Sequence, residues 1–180
     1  QQLRDNADWL MQCFDSEDFD LAKSKEKAAA FLSVEGAELL ASDAHIQRAY
    51  AAGVRLVTLS WNYRSAYACG AATDNNAGLT DAGRELVRKL IALGVILDVS
   101  HLSERGFWEL CVETEAPFAA THSNSRAVCG HLRNLTDLQF SEIVRRGGLC
   151  GINLYSLFLR PDGQQGTLDD AVRHIEHFLE

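Results

Sequence analysis

Five apolar runs punctuate the chain: "AAAFLSVEG" at 28–36, "GVRLVTLSW" at 53–61, "GVILDVSH" at 94–101, "APFAATHS" at 116–123 and "GGLCGINLY" at 147–155. Each is near-continuous rather than alternating, which predicts strands buried on both faces, as in a parallel sheet covered by helices. Helix signals fill the intervals. Thr80 reads as the N-cap of a helix whose Leu86, Val87, Leu90, Ile91 and Leu93 share one face, stopped by Gly94. Ser103 caps a helix carrying Phe107, Trp108, Leu110 and Cys111, and Thr136 with Gln139 makes a capping box for one that ends at Gly147 and Gly148. A last helix from Thr167 gathers Val172, Ile175, Phe178 and Leu179. At the start, Leu3, Ala7, Leu10 and Phe14 stand at helical spacing, and "DSEDFD" with "AKSKEK" reads as a solvated connection.

Alternating strands and helices predict right-handed βαβ units and therefore an α/β fold. Five strands could complete an open flavodoxin-like sheet, or form five-eighths of a (β/α)8 barrel, which takes about 250 residues. Length alone favours the open sheet. No phosphate loop, dinucleotide fingerprint or internal repeat is present, and "GAATDNNAG" at 70–78 is a loop by composition.

Composition narrows the function classes. With 180 residues, 47% hydrophobic and 23% charged, the chain can bury a core. Its net charge of −8 and lack of clustered Lys and Arg argue against a nucleic-acid surface. Five widely spaced cysteines form no Cys-x-x-Cys pair, so they read as mostly buried thiols rather than a disulfide framework or a thiolate zinc site. No apolar run approaches the ~20 residues of a membrane span, and the first residues lack a signal-peptide pattern, which favours a cytoplasmic location. The chain starts without Met and is expected to begin within a fold.

The polar residues fall where a site would need them. Glu35 ends the first run, Trp61 and Asn62 the second, His101 the third and His122 the fourth, while Asn153 and Tyr155 lie near the end of the fifth. The C-terminal ends of parallel strands share one edge, so these groups should converge although distant in sequence. A carboxylate and two imidazoles suit a divalent ion such as zinc and leave positions open for water. A single strand-end His or Glu is more often a capping residue, and spacing alone leaves both readings open. Asp98, Ser100 and Ser123 could orient the imidazoles at their far nitrogens, or serve only structural contacts. His174 and His177 read as a solvated helix face, and His45 as surface. His131 reads as pocket-lining or turn-capping, and Arg126 and Asn124 as loop-shaping.

The blocks "SVEG", "GVRLVTLSWN", "GLTDAGRELVRKLIALGVILDVSHLS", "THSNSRAVCGHLRNLTD" and "GGLCGIN" together resemble the membrane dipeptidase (renal dipeptidase) family of zinc peptidases, peptidase family M19, and its bacterial members most. The resemblance runs from about Phe31 to Glu180. It implies a (β/α)8 barrel of which residues 1–180 are the central portion, about five βα units, with two zinc ions at its mouth. It also implies hydrolysis of dipeptides by a metal-bridging water, and a homodimer. Glu35 resembles the carboxylate bridging the two metals, and His101 and His122 the ligands of the second zinc. Arg133 matches the arginine that binds the substrate's C-terminal carboxylate, and Tyr155 a substrate-side tyrosine. Trp61 stands where mammalian members have a substrate-binding histidine.

The family's His-x-Asp pair, which supplies further zinc ligands, and its catalytic aspartate in an "SDFDG"-like segment have no match in the sequence, so no catalytic acid–base is expected within this span. The competing reading is a non-catalytic or degenerate binding module with an incomplete metal site. On the fragment reading, unpaired edge strands would leave 180 residues prone to aggregate.

Overall fold

Parallel strands in sequential order set the architecture. In the computed structural model, which describes residues 1–73 and 77–180, strands β3 (Leu32–Glu35), β4 (Val54–Thr58), β5 (Ile96–Asp98), β6 (Ala119–Ala120) and β7 (Leu149–Cys150) form one sheet in the order β3-β4-β5-β6-β7, every pairing parallel. A doubly wound open sheet reverses its strand order at a switch point, with helices on both faces. No reversal occurs here. The open sheet favoured by length is therefore replaced by the succession of a (β/α) barrel, of which five strands are seen.

The helices after each strand follow their sequence signals. Helix α4 (Asp81–Ala92) is capped by Thr80, α5 (Glu104–Glu113) by Ser103, α6 (Asp137–Arg145) by the Thr136–Gln139 capping box, and α8 (Leu168–Leu179) by Thr167 with Asp170. Gly94 takes φ of 74° after α4, the left-handed conformation that ends a helix most cheaply with glycine. Leu86, Val87 and Leu90 of α4, Phe107 and Leu110 of α5 and Ile143 of α6 pack with Val57, Leu97, Val99 and Phe118 into the core. Helices α3 (Asp43–Ala51), capped by Ser42, and α7 (Ser156–Leu159) follow β3 and β7.

One face of the sheet is packed by helices and the other is covered only in part. The register aligns Glu35 with Thr58, Thr58 with Asp98 and Asp98 with Ala119, so these residues line the face opposite the helices. On that face Ile96 is 42% exposed and Leu149 72%. Burial on both faces, expected from the continuous apolar runs, thus holds for the helix-packed face and, on the other, for Thr58, Asp98 and Ala119 but not Ile96 and Leu149.

The N-terminal third departs most from its local patterns. Helix α1 (Gln2–Asp5) is a single turn, and the helical spacing through Leu10 gives way to strand β1 (Leu10–Gln12). That strand pairs in parallel with β2 (Ala28–Ala30), a tertiary ladder outweighing a weak local period. The run 28–36 therefore breaks at Phe31 into strands of two different sheets. The acidic-basic connection is helical as α2 (Ser16–Ser24), because the Asp15 carboxylate accepts from the Asp18 N–H and the Asp18 carboxylate accepts from the Phe14 N–H. Strands β4 to β7 are also shorter than their apolar runs. Their outer ends bend into loops held by side chains, as where the Asn124 amide and the Asn153 backbone exchange two hydrogen bonds of 2.9 Å. The loop expected at 70–78 includes 74–76, which lie outside the described residues.

No helix is long and apolar enough to cross a membrane among the described residues. Cys13, Cys69 and Cys129 are buried, Cys111 and Cys150 partly so, and none is in a disulfide.

Candidate metal centre

Three strands deliver three ligand atoms to one point. Glu35 is the last residue of β3. Gly36 then turns the chain away while its N–H donates to Thr58 Oγ1 on β4, 2.6 Å distant. His101 follows β5 just before the Ser103 cap of α5, and His122 lies two residues beyond β6. Glu35 Oε1 is 2.7 Å from His101 Nε2 and 3.4 Å from His122 Nε2, and the two Nε2 atoms are 2.8 Å apart. Among the described residues these three form the one group of His, Cys and acidic side chains with metal-binding geometry.

The far sides of both rings decide what the near sides present. His101 Nδ1 lies 2.8 Å from Asn62 Oδ1, an atom that only accepts, so that nitrogen carries the proton. His122 Nδ1 lies 2.8 Å from Thr121 Oγ1, whose own proton goes to Asp98 Oδ2. Asp98 Oδ1 accepts from the Ser100 N–H, the Ser100 hydroxyl and the Thr121 N–H. Both Nε2 atoms therefore point bare lone pairs at each other and at a carboxylate oxygen. Three acceptors with no hydrogen among them repel unless a cation sits between them.

On His101 a proton is a poor candidate for that cation. Burial, followed by the positive charge of Arg133 and the neighbouring His122, pushes His101 down to about 3, and the half-exposed Glu35 does not reverse this. The 2.7 Å contact is thus not an ordinary salt bridge. Two imidazole nitrogens and one carboxylate oxygen fit a borderline divalent metal, zinc foremost.

Arg133 stands beside this centre, 4% exposed, with its guanidinium 5.4 Å from the Phe158 ring. Its Nε and Nη2 are buried and meet no acceptor among the described residues. Burial lowers it to about 10, against the opposing pull of Asp98 and Glu35. Tyr155, 56% exposed, meets the same Phe158 ring edge-on at 4.9 Å, and Trp61, 49% exposed, lies 5.8 Å from the His101 ring. A cavity of about 190 Å³ beneath the triad is lined by Ser33, Glu35, Thr58, Asp98, Thr121 and His122. A larger one, about 490 Å³, lies between α6 and α8 and contains none of these groups.

Other expectations resolve differently. Asp98 reaches the His122 ring only through Thr121, Ser100 binds the His122 backbone N–H rather than a ring, and the buried Ser123 hydroxyl has no partner among the described residues. Of the residues that do touch the rings, Asn62 stood among the polar strand-end residues expected to converge, while Thr121 carried a sequence signal only as the polar neighbour of His122. His174 is fully buried rather than on a solvated face, accepting from the Ser125 N–H at Nδ1 and donating from Nε2 to the Leu159 carbonyl. His177 pairs with Asp137 at 2.9 Å, and His45 is exposed. His131 Nδ1 accepts from the Arg133 N–H, a turn contact. Arg126 shapes its loop through the Asn134 and Leu132 carbonyls, as expected.

Comparison with known proteins follows the same lines. A model of the membrane dipeptidase family (peptidase family M19) matches residues 2–180. The chain is 34% identical over 189 residues to an uncharacterized protein in the pqqA 5′ region of Klebsiella pneumoniae, covering 99% of this chain and 70% of that protein. It is similar to the crystal structure of a metallo peptidase from Rhodobacter sphaeroides liganded with a phosphinate mimic of the dipeptide L-Ala-D-Ala, with a TM-score of 0.89, 30% identity, and 98% of this chain and 53% of that one covered. A further match is the dipeptidase AC, a metallo peptidase of family M19, with a TM-score of 0.87, 29% identity, and 98% and 55% covered. The chain spans little more than half the length of these two solved structures.

Proposed function

Since the chain belongs to the membrane dipeptidase family, peptidase family M19, we propose that the protein containing it is a zinc-dependent dipeptidase whose metal is held by Glu35, His101 and His122. The observation that carries this reading is the convergence of three hydrogen-free acceptor atoms within 3.4 Å, with both imidazoles locked so that Nε2 faces inward. A divalent ion there supplies Lewis acidity, polarising a peptide carbonyl and acidifying water at neutral pH. The proposal extends to a second zinc, which Glu35 would help to hold.

The remaining residues bind and orient. Arg133, with Nε and Nη2 buried and unmet among the described residues, takes the substrate's terminal carboxylate, a planar anion that matches the guanidinium fork. Trp61 and Tyr155 wall the approach with aromatic surface. The phosphinate mimic of L-Ala-D-Ala carried by the Rhodobacter protein supports a dipeptide as substrate. No residue of this chain is assigned the proton transfer to the leaving amine.

The test is zinc content by elemental analysis and dipeptide hydrolysis on the full-length protein and its His101→Ala variant. The expected result is metal in the parent and a loss of both metal and activity in the variant. Unchanged hydrolysis by His101→Ala would sink the assignment. The proposed homodimer is checked by sedimentation, where a monomer at micromolar concentration overturns that part.

A further inference from the structure

Each imidazole of the triad is held from behind by a different device. His101 donates from Nδ1 to Asn62 Oδ1 at 2.8 Å. Asn62 opens a loop after β4 that folds back across the site. The Ala72 N–H donates to the Asn62 carbonyl (3.0 Å), the Gly70 N–H to the Tyr63 carbonyl (3.1 Å), and the Ala71 N–H to the carbonyl of His101 itself (2.9 Å). One turn therefore grips the backbone of both the orienting residue and the ring's own residue. The approach depends on glycine at position 70, because a Cβ there would fall inside the backbone of Trp61 and Asn62.

His122 is held by a relay. Its Nδ1 donates to Thr121 Oγ1 at 2.8 Å, the Thr121 hydroxyl donates to Asp98 Oδ2, and Asp98 Oδ1 is fixed by Ser100 and the Thr121 N–H. The Ser100 hydroxyl in turn accepts from the His122 N–H at 3.1 Å. Both the ring and the backbone of His122 thus depend on one carboxylate.

We propose that Asn62 is the positioning residue for His101 and that Thr121, backed by Asp98, is the positioning residue for His122, the two devices together setting both rings with Nε2 bare and aimed at one cation. The proposal rests on the metal reading above. It goes further in dividing the labour: Asn62 offers a neutral carbonyl, whereas Thr121 transmits the charge of a carboxylate, which makes His122 the more strongly donating ring.

The experiment has two readouts on the full chain. Nitrogen-15 spectra of the chelator-treated, metal-free protein report the tautomer of each ring, and both are expected to be Nδ1–H. Zinc affinity is then measured by competition with a chromophoric chelator. Asn62→Leu is expected to give His101 a mixed tautomer and to weaken zinc binding about 10- to 100-fold, with Asn62→Asp restoring both. Thr121→Val should do the same for His122, with Thr121→Ser restoring it.

An Nε2–H tautomer on either ring of the unmodified chain overturns the proposal, a result that needs no variant to fold. Unaltered zinc affinity in folded Asn62→Leu and Thr121→Val overturns it as well. A chain that shows both Nδ1–H signals yet takes up no zinc would uphold the positioning and overturn the metal reading instead.

Discussion

Arg133 keeps two guanidinium nitrogens, Nε and Nη2, buried where no acceptor meets them among the described residues, an arrangement that costs stability unless an anion completes it. Arg133→Met is expected to raise KM for dipeptides by about 10-fold or more with a smaller effect on kcat, while leaving the melting temperature unchanged or higher. Steady-state kinetics and a thermal melt of the same variant check both halves, and a lower Tm with unchanged KM would count against the carboxylate role. His174 makes the opposite kind of contribution. Both its nitrogens are satisfied in the neutral form, and burial lowers its pKa from 6.5. A depressed folded pKa means stability that is full above the unfolded value and lost as pH falls below it. His174→Leu should therefore destabilise by about 1–3 kcal/mol at pH 7.5, leaving the Ser125 N–H unsatisfied, and should flatten the loss of stability between pH 7 and 5 seen by denaturant titration. At this scale the candidate ligands stood out in the sequence, because Glu35, His101 and His122 each lie at or near the end of an apolar run. Thr121 did not, since what singles it out is its hydrogen bond to Asp98, 23 positions away, and Asn62 was legible only as a polar strand-end residue, its 2.8 Å contact with the His101 ring being made across 39 positions.

Elements obeyed local chemistry wherever that chemistry was strong. Thr80, Ser103, Thr136 and Thr167 all accept the backbone N–H expected of an N-cap. Thr136→Ala should cost about 1 kcal/mol, measured by chemical denaturation. Gly70→Ala should cost more in function than in fold. The added Cβ displaces the Trp61–Asn62 backbone, so zinc affinity should fall by about the factor expected for losing the Asn62 contact, with helix content by circular dichroism retained. Where local signals were weak the sheet decided. The spacing of Leu3, Ala7, Leu10 and Phe14 suits a helix, yet Leu10–Gln12 gains a ladder with Ala28–Ala30 that no local count contains.

Across the whole molecule, one sheet face is packed by helices and the other carries Ile96 and Leu149 in the open. Helix α8 adds a stripe of Leu168, Val172, Ile175 and Leu179, each at least 39% exposed and spaced for a second apolar contact. Residues 1–180 alone are therefore expected to self-associate at micromolar concentration, which light scattering and size-exclusion chromatography would show. A monomeric chain with a cooperative melt would contradict this.

By itself the sequence determined the alternation of strands and helices, their caps, and the identity of the residues at the strand ends, because each rests on interactions within a few positions of the chain. Only the tertiary structure decided the strand order that replaced an open sheet with a barrel succession, the burial of His174, and the contacts of Asn62 with His101 and of Asp98 with Thr121. Those depend on which strands pair and which side chains meet across 20 or more residues, as Asn62 and His101 do at a separation of 39. No local period encodes such contacts.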